Sequence, residues 1–176
     1  MTRGRVVRIR DASALDAPDV LAIYRPLVEQ TAVSFEERPP TLAEMERRVT
    51  DSHLWLVVEQ SSRVVGYAYA GRFHARPAYR WSAEVSIYLG DGARGKGLGR
   101  RLLNELLGRL RGRGFVNAFA GIALPNPASV ALFESAGFQK IAHQRQVGFK
   151  LGSWHDVGWW QLQLRERTVP PPELIL

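Results

Sequence analysis

The spacing of apolar residues along this chain switches repeatedly between the period of a strand and the period of a helix. Apolar or alternating runs typical of strands occupy Val6–Ile9, His53–Glu59, Val64–Ala70, Ala83–Leu89, Val116–Ile122, Phe138–Phe149 and Trp159–Leu164. Helical spacing occupies Ala14–Gln30, Thr41–Asp51, Leu98–Leu110 and Ala128–Ala136. The pattern therefore predicts one α/β domain, without an internal repeat.

Local signals mark the ends of several of these elements. Thr41 is followed three residues later by Glu44, which is the pattern of a helix-capping box. Gln60–Arg63 has the composition of a turn, so the apolar runs on either side of it predict an antiparallel hairpin. The segment that contains His155 and Asp156 is interpreted as a structural loop between the last two strands. The tail from Thr168 is rich in proline and predicts a loose or docking appendage.

The stretch from Val85 to Leu103 carries the clearest chemical signal. It reads VSIYLGDGARGKGLGRRLL, which predicts a strand, a glycine-rich turn and an amphipathic helix. Glycines let the backbone approach an anion closely, and the first N–H groups of a helix are unpaired and carry partial positive charge. This stretch therefore predicts a phosphate-binding site.

Two common phosphate-binding templates fail on this loop. The dinucleotide pattern G-x-G-x-x-G, started at Gly95, requires a third glycine at the position of Arg100. The Walker pattern is met from Gly90 to Lys96, but Gly97 stands where a Ser or Thr should bind Mg²⁺. A P-loop-like nucleotide hydrolase therefore stays an alternative, although a weak one.

A third template, R/Q-x-x-G-x-G/A, is met by Arg94, Gly97 and Gly99. With it the loop resembles the acyl-CoA loop of the GNAT family of N-acyltransferases. A second stretch, Ile122–Phe138, reads IALPNPASVALFESAGF and resembles the strand and helix that follow in that family. The resemblance implies that the loop holds the pyrophosphate of coenzyme A and that Asn126 lies near the pantetheine arm. Asn126 is equally well explained as a capping residue at a helix start.

A narrower resemblance, to the phosphinothricin and methionine sulfoximine acetyltransferases of that family, comes from Tyr69–Leu89 and Val147–Gln161. It implies a GNAT fold over residues 1–167, followed by a proline-rich tail at 168–176. The implied architecture is α/β (α+β), with a central mixed, mostly antiparallel twisted sheet flanked by helices. It also implies acetyl-CoA as cosubstrate, a small amino-acid-like amine as acceptor, and a homodimer.

The same resemblance assigns roles to individual residues. Glu84 is the implied general base for acetyl transfer to the α-amine of an acceptor such as phosphinothricin, methionine sulfone or methionine sulfoximine. The implied cofactor contacts are Ile87, Tyr88 and Leu89 through their main chain, the loop residues Arg94, Gly95, Lys96, Gly97, Leu98, Gly99 and Arg100, and Asn126 and Phe133. Guanidinium chemistry makes Arg76 the candidate partner of the acceptor's carboxylate, with Arg72 and Arg80 as alternatives, and Phe35 and Tyr79 are candidate walls of the pocket. Phe133 departs from the family, because it replaces a Tyr or His and its phenyl ring cannot transfer a proton.

Composition and charge change this interpretation only slightly. The chain has 24 Lys and Arg against 17 Asp and Glu, a net charge of +7. Many of these basic residues surround the loop and its helix, which suits the phosphates of coenzyme A. A basic nucleic-acid-binding module and a non-catalytic acyl-CoA-binding module stay as alternatives.

Several classes are disfavoured by what the sequence does not contain. The chain has no cysteine, which excludes disulfides and an acyl-cysteine intermediate. The histidines have no metal-ligand spacing, no apolar run is long enough to span a membrane, and the charged first residues do not resemble a signal peptide. We therefore expect a cytoplasmic protein that needs no metal and binds neither nucleic acid nor membrane.

Overall fold

The computed structural model describes residues 7–175, and the predicted strand residue Val6 lies outside this range. Within residues 7–175, seven strands form one sheet in the order β1-β2-β3-β4-β5-β7-β6. Their bounds are β1 Val7–Asp11, β2 Leu54–Gln60, β3 Arg63–Arg72, β4 Ser82–Leu89, β5 Asn117–Leu124, β6 Gln139–Lys150 and β7 Ser153–Gln163. Neighbouring strands are antiparallel except β4 and β5, which are parallel. The predicted mixed, mostly antiparallel sheet is confirmed.

In the described part of the chain, four α-helices flank the sheet: α1 Ala17–Gln30, α2 Leu42–Asp51, α3 Leu98–Gly112 and α4 Pro127–Ser135. Short 3-10 turns lie at Ala14–Asp16, Pro77–Tyr79 and Asp91–Ala93. The predicted capping box at the start of α2 is confirmed, since the Glu44 backbone N–H donates to Thr41 Oγ1 at 3.3 Å and the Glu44 carboxylate accepts from the Thr41 backbone at 2.7 Å. No helix in the range 7–175 is long and apolar enough to cross a membrane.

Each face of the sheet has its own core. On one face, the leucines of α3, which are at most 5% exposed, pack against alternate residues of the central strands, such as Ala83 and Val85 of β4. On the other face, α1 and α2 pack against the aromatic side chains of Trp55 and Tyr67. Successive side chains of a strand point to opposite faces, so β4 directs Glu84, Ser86 and Tyr88 toward the α1 and α2 face.

The parallel pair β4 and β5 separates part of the way along its length. The pairing covers Ser82 with Asn117, Ala83 with Ala118 and Glu84 with Phe119, and it stops there. Beyond Glu84 the edge of β4 is not paired with β5, while β5 continues to pair with β7 as far as Leu124. The sheet therefore opens immediately after Glu84.

The predicted first helix is wrong at its start, because Ala14–Asp16 forms a 3-10 turn and α1 begins only at Ala17. The carboxylate of Asp16 is used by Arg10, which donates to it at 2.7 and 2.8 Å and also contacts Glu59. The Arg10 guanidinium thereby lowers the pKa of Asp16. A carboxylate fixed in this way by a distant strand is not available to cap α1.

The end of the chain also differs from expectation. The last strand begins at Ser153 rather than Trp159, so His155 and Asp156 lie in β7 and not in a loop. They have separate partners: His155 Nε2 lies 3.0 Å from the carbonyl oxygen of Lys150, and Asp156 lies 2.7 Å from His143. The tail docks on the domain, since the Trp81 indole N–H donates to the carbonyl oxygen of Pro172 at 2.8 Å.

Candidate active site

Glu84 lies in β4 at the point where the sheet opens, with Gly71 of β3 on one side and Phe119 of β5 on the other. Burial raises the pKa of the Glu84 carboxyl above its ordinary value of 4.5, and the charge of the nearby His74 works in the opposite direction. A partly buried carboxyl with a raised pKa is the form that general bases take in enzymes. The geometry therefore makes Glu84 a candidate base.

A cleft of about 500 Å³ lies on the same face of the sheet, between α2 and β3, with Tyr24 of α1 at its side. Tyr67, Tyr69 and Gly71 of β3 line it. A side chain at Gly71 would meet nothing within 4 Å, so the space beside Glu84 is open. Cavities of this size are typical of small-molecule sites.

Aromatic rings surround the end of β3 next to Glu84. Phe73 stacks on Phe119 with ring centroids 4.0 Å apart, and Trp159 meets Phe73 edge-on at 6.2 Å. The His74 ring lies 4.8 Å from the ring of Tyr79. The predicted substrate residue Tyr79 therefore lies next to a histidine whose charge acts on Glu84.

The open edge of β4 contains the three residues expected to contact the cofactor through their main chain. The side chains of Ile87 and Leu89 pack against the α3 core, whereas that of Tyr88 packs against Tyr24 on the opposite face. Burial raises the pKa of Tyr88 well above its ordinary value, so its hydroxyl stays neutral. These three side chains are structural, which leaves the backbone for ligand contacts.

The glycine-rich loop connects β4 to α3. Gly95 and Gly97 have φ of +71° and +73°, in the left-handed region that favours glycine, and Gly97 is the N-cap of α3. Because Gly97 has no side chain, no side-chain cap covers the first N–H groups of α3, and its first turn contains no acidic residue. Both features favour an anion at this helix start.

The other loop residues divide into buried and exposed groups. Leu98 and Gly99 are buried, and a side chain at Gly99 would contact Leu89 and Leu132. The exposed cations are held by neighbours: Arg94 donates to the carbonyl oxygen of Leu89 at 3.3 Å, and Lys96 donates to that of Gly92. A cavity of about 320 Å³ adjoins the loop at Leu89, Gly90 and Arg94.

Farther along α3, Arg100 donates to Ser135 Oγ in α4 at 2.8 Å. Asn126 caps α4, since its side-chain oxygen accepts from the Ser129 backbone N–H at 3.1 Å. Phe133 is 4% exposed and packs edge-on against Phe138 at 5.0 Å. The structure thus gives Asn126 and Phe133 structural roles, and their contacts with a cofactor stay predictions.

The three predicted substrate residues do not lie at one place. Arg76 is exposed and precedes the 3-10 turn that contains Tyr79. Phe35 lies instead against the β6–β7 hairpin, where its ring fills the space next to Gly148 and approaches His155 at 6.2 Å. Arg76 and Tyr79 are therefore near each other in the turn before β4, whereas Phe35 contacts a different element, the β6–β7 hairpin.

Sequence reasoning missed several residues that the fold places on the face of Glu84. Tyr24 donates to Glu36 at 2.9 Å and shares a 2.7 Å hydrogen bond with Ser34. Arg48 binds the same Glu36 carboxylate with two hydrogen bonds, which lower the pKa of Glu36. Neither residue is part of a motif, and only their packing on the sheet places them at the cleft.

Histidine, aspartate and glutamate side chains do not form a group of three or more that could hold a metal ion within the described range 7–175.

The chain belongs to the GNAT acetyltransferase family, because a sequence model described as "Acetyltransferase (GNAT) domain" matches residues 9–159. The phosphinothricin N-acetyltransferase of Streptomyces viridochromogenes is 39% identical to this chain over 171 residues, covering 96% of this chain and 92% of the relative. The L-methionine sulfoximine/L-methionine sulfone acetyltransferase of Pseudomonas aeruginosa is 37% identical, covering 89% and 94%.

Solved structures agree with the sequence relatives. The phosphinothricin acetyltransferase of Sinorhizobium meliloti, crystallised in complex with acetyl-CoA, superimposes with a TM-score of 0.86 at 39% identity, covering 89% of this chain and 88% of that one. The predicted fold and family are therefore confirmed, and the chain is an acetyltransferase. Family membership also decides against the nucleotide hydrolase that the near-match to the Walker pattern had left open.

Proposed function

We propose that this protein transfers an acetyl group from acetyl-CoA to the α-amine of a small amino acid such as phosphinothricin, methionine sulfone or methionine sulfoximine. The observation that carries this proposal is the position of Glu84, a partly buried carboxyl whose pKa is raised, at the point where β4 and β5 separate. The relatives named above support the choice of substrate, because their names state these same acceptors.

The residues present fit acetyl-CoA. The uncapped start of α3 and the cations Arg94 and Lys96 suit a pyrophosphate. The backbone of β4 beyond Glu84 is free to hydrogen-bond an extended arm, because β5 has moved away from it. When bound, acetyl-CoA supplies the acetyl group as a thioester, and its carbon–sulfur bond breaks as the new carbon–nitrogen bond forms.

Glu84 solves the main chemical problem of the reaction. The α-amine of an amino acid is mostly protonated near neutral pH, and only the free amine is a nucleophile. An ionised Glu84 takes this proton, directly or through a water molecule. A raised pKa makes the ionised carboxylate a better base.

The second proton transfer of the reaction is to the sulfur that leaves as the thiolate of coenzyme A. Phe133 stands where relatives in the family have a Tyr or His, and its phenyl ring cannot donate this proton. A thiol has a pKa near 8.5, so a thiolate is a tolerable leaving group. Water then protonates the departing sulfur. The N–H groups of β4 near Ile87 and Leu89 are suitably placed on the open edge to stabilise the negative charge that develops on the acetyl oxygen.

Arg76 is the proposed partner of the acceptor's α-carboxylate, because a guanidinium binds a carboxylate with two parallel hydrogen bonds. Tyr79 follows it in the same exposed turn. Phe35, which lies in the segment between α1 and α2, is proposed to form the opposite wall of the acceptor pocket.

The direct test is release of the coenzyme A thiol from acetyl-CoA in the presence of a panel of amines. The panel contains phosphinothricin, methionine sulfone, methionine sulfoximine, glutamate, polyamines and a basic peptide. We expect turnover with the first three. Turnover restricted to polyamines or the peptide would overturn the proposed acceptor, and a rise in Tm with acetyl-CoA but no turnover would indicate a binding module.

We further propose that the protein is a homodimer whose interface includes the β6–β7 hairpin. Phe149, Leu151 and Trp154 are each about 60% exposed on this hairpin, and Phe149 contacts Trp154 edge-on at 5.3 Å. A contiguous exposed apolar surface of this kind is typical of a protein interface. A second copy of this chain is the partner that the resemblance implies.

Replacing Trp154 with Ser tests this interface by sedimentation equilibrium. We expect the wild type to sediment as a dimer and Trp154→Ser to shift toward a monomer with an unchanged circular dichroism spectrum. Leu15→Ser is the matched control, because Leu15 is 91% exposed in the 3-10 turn before α1. A monomeric wild type would overturn the dimer.

A further inference from the structure

The indole of Trp55 is unusual among the tryptophans of this protein. Trp55 is 5% exposed, and its Nε1–H has no hydrogen-bond acceptor among residues 7–175. By contrast, the N–H of Trp160 donates to Glu134 at 3.1 Å and that of Trp81 donates to Pro172. A buried donor without an acceptor costs free energy, so a native structure that keeps one invites an explanation.

Trp55 lines the 500 Å³ cleft between α2 and β3. Its ring is held in place by stacking on Tyr69, with centroids 4.4 Å apart, and on Tyr67, with centroids 5.4 Å apart. The indole therefore cannot turn to find an acceptor elsewhere without losing both stacking contacts. A ligand in the cleft would supply the acceptor where the ring already lies.

The rim of the cleft is rich in arginine. Arg47, Arg48 and Arg72 line it, together with the acidic Glu44 and Asp51. Glu44 is used by the capping box of α2, and Arg48 is paired with Glu36. Arg47 and Arg72 take part in none of the ion pairs among the described residues. The cleft therefore favours an oxygen that is negatively charged or strongly polar.

Gly71 connects this cleft to Glu84. It lines the cleft, it pairs with Glu84 across β3 and β4, and a Cβ at this position would meet nothing within 4 Å. Trp55 of β2 pairs with Tyr69 of β3, and Glu84 of β4 pairs with Gly71, two residues farther along β3. Trp55 and Glu84 are therefore two strands and two residues apart, which corresponds to roughly 12 Å between their Cα atoms. Both side chains lie on the same face, so a small amino acid can span the gap between them.

We propose that this cleft is the subsite for the distal end of the acceptor's side chain, where the Trp55 indole N–H donates to a sulfonyl, sulfoximine, phosphinyl or carboxyl oxygen. The inference rests on the proposed function, because it places the acceptor's amine at Glu84 and its side chain past Gly71. It goes further by assigning the selectivity among amino acids to Trp55 and the open space at Gly71.

The sharpest test observes the indole N–H itself. The protein has five tryptophans, and the Trp55 signal in a ¹⁵N-labelled spectrum is identified as the one missing from Trp55→Phe. The labelled wild type, saturated with coenzyme A, is titrated with methionine sulfone and, separately, with methionine, which differs only by lacking the sulfone oxygens. We expect the Trp55 signal to move downfield with the sulfone and to stay in place with methionine.

Turnover of the same protein, measured with acetyl-CoA in place of coenzyme A, separates this inference from the proposed function. If methionine sulfone is acetylated while the Trp55 signal stays in place, the subsite is overturned and the acetyl transfer stands. If the signal moves in a protein that does not acetylate the sulfone, the subsite stands and the acetyl transfer is overturned. If neither happens, both are overturned.

Kinetics of matched variants provide a second readout. Trp55→Phe keeps an aromatic ring in the stack but removes the N–H together with part of the volume of the indole, so we expect the preference for methionine sulfone over methionine, as a ratio of kcat/KM, to fall about tenfold. Trp81→Phe is the matched control, since it removes an N–H that is already paired with the tail, and it should leave this ratio unchanged. An unchanged ratio in Trp55→Phe would overturn the subsite.

Gly71→Val tests the connection to Glu84 without depending on Trp55. The space at this position accepts a side chain, and a β-branched residue suits a strand, so we expect the variant to fold. Filling the space should raise KM for methionine sulfone at least several-fold more than for alanine, which does not reach the cleft. Equal effects on both acceptors would overturn the path past Gly71.

Discussion

The two faces of the sheet differ in what they bury. On the α3 face the buried side chains are almost all aliphatic or phenyl, and Leu102, Leu103 and Leu106 are fully buried. On the α1 and α2 face the buried side chains include Tyr24, Tyr67 and Trp55, whose polar atoms are desolvated. The first face contains mainly groups that gain from leaving water, whereas the second retains more groups for which leaving water is costly.

This difference shows how stability and function are divided in the molecule. Apolar packing gives stability without chemistry, and β4 contributes to it through Ala83 and Val85. The alternate residues of the same strand present Glu84 to the polar face, where burial raises its pKa. One strand therefore serves both faces, because successive side chains point in opposite directions.

The contrast between the faces is tested most severely by Glu84→Gln, which should lower turnover by about two orders of magnitude or more without loss of stability. Glutamine cannot accept the proton, but it is nearly isosteric and is less costly to bury than a carboxylate. Thiol release measures turnover, and the shift in Tm on adding acetyl-CoA measures binding, which should persist.

Glu105→Gln is the matched control for this variant, since Glu105 lies on the exposed side of α3 in a pair with Arg109. We expect its turnover to equal that of the wild type. If Glu84→Gln keeps full turnover while binding acetyl-CoA, another group is the base and the assignment of Glu84 is wrong.

The opposite outcome is expected from Leu106→Ala on the α3 face. Removing a fully buried leucine side chain should lower the free energy of unfolding by about 2–5 kcal/mol, through lost burial and the cavity left behind. Urea denaturation measures this loss. Turnover per folded molecule should stay within a factor of about two, because Leu106 faces away from Glu84.

Leu15→Ala provides the baseline for this loss. Leu15 is 91% exposed, so its removal should change the free energy of unfolding by about 0.5 kcal/mol or less. A comparable loss in both variants would mean that the α3 face is not the main source of stability.

The smallest expected effect is a dependence of stability on pH that arises from Glu84 on the α1 and α2 face of the sheet. Because burial raises the pKa of Glu84 in the folded protein, the folded state keeps a proton that the unfolded state has already lost just above pH 4.5. The contribution of Glu84 to stability therefore falls as pH rises through this window. Above the raised pKa its cost is constant.

The difference in Tm between Glu84→Gln and the wild type reports this contribution, since glutamine does not titrate. We expect the difference to favour the glutamine variant and to grow as pH rises from 4.5, until it reaches a plateau. A constant difference across this range would show that the pKa of Glu84 is not raised.

Local patterns in the sequence predict much of the fold. The capping box of Thr41 and Glu44 and the glycine-rich turn between β4 and α3 are both found in the structure. Signals of this kind act between residues a few positions apart, so they do not depend on the partner elements. The motif of the glycine-rich loop, together with the strand and helix that follow it, is also sufficient to indicate the family.

Elements whose bounds depend on distant partners are predicted less well. The predicted start of α1 is wrong because Arg10 of β1 binds Asp16, and the predicted start of β7 is wrong because Ser153 pairs with Lys150 of β6. The residues from Ser153 to Asp156 do not form an apolar run, yet pairing with β6 makes them part of a strand. Propensity within a segment cannot report such pairing.

The order of the amino acids is enough to indicate the family, the order of most elements, the phosphate-binding loop and the identity of the candidate base. The folded chain is needed to show that His74 acts on Glu84, that Phe35 lies against Gly148, and that Trp55 lines the cleft while its buried N–H has no acceptor among residues 7–175. The physical reason is that motifs are contiguous along the chain, whereas a pocket is formed by side chains that separate strands and helices bring to one face.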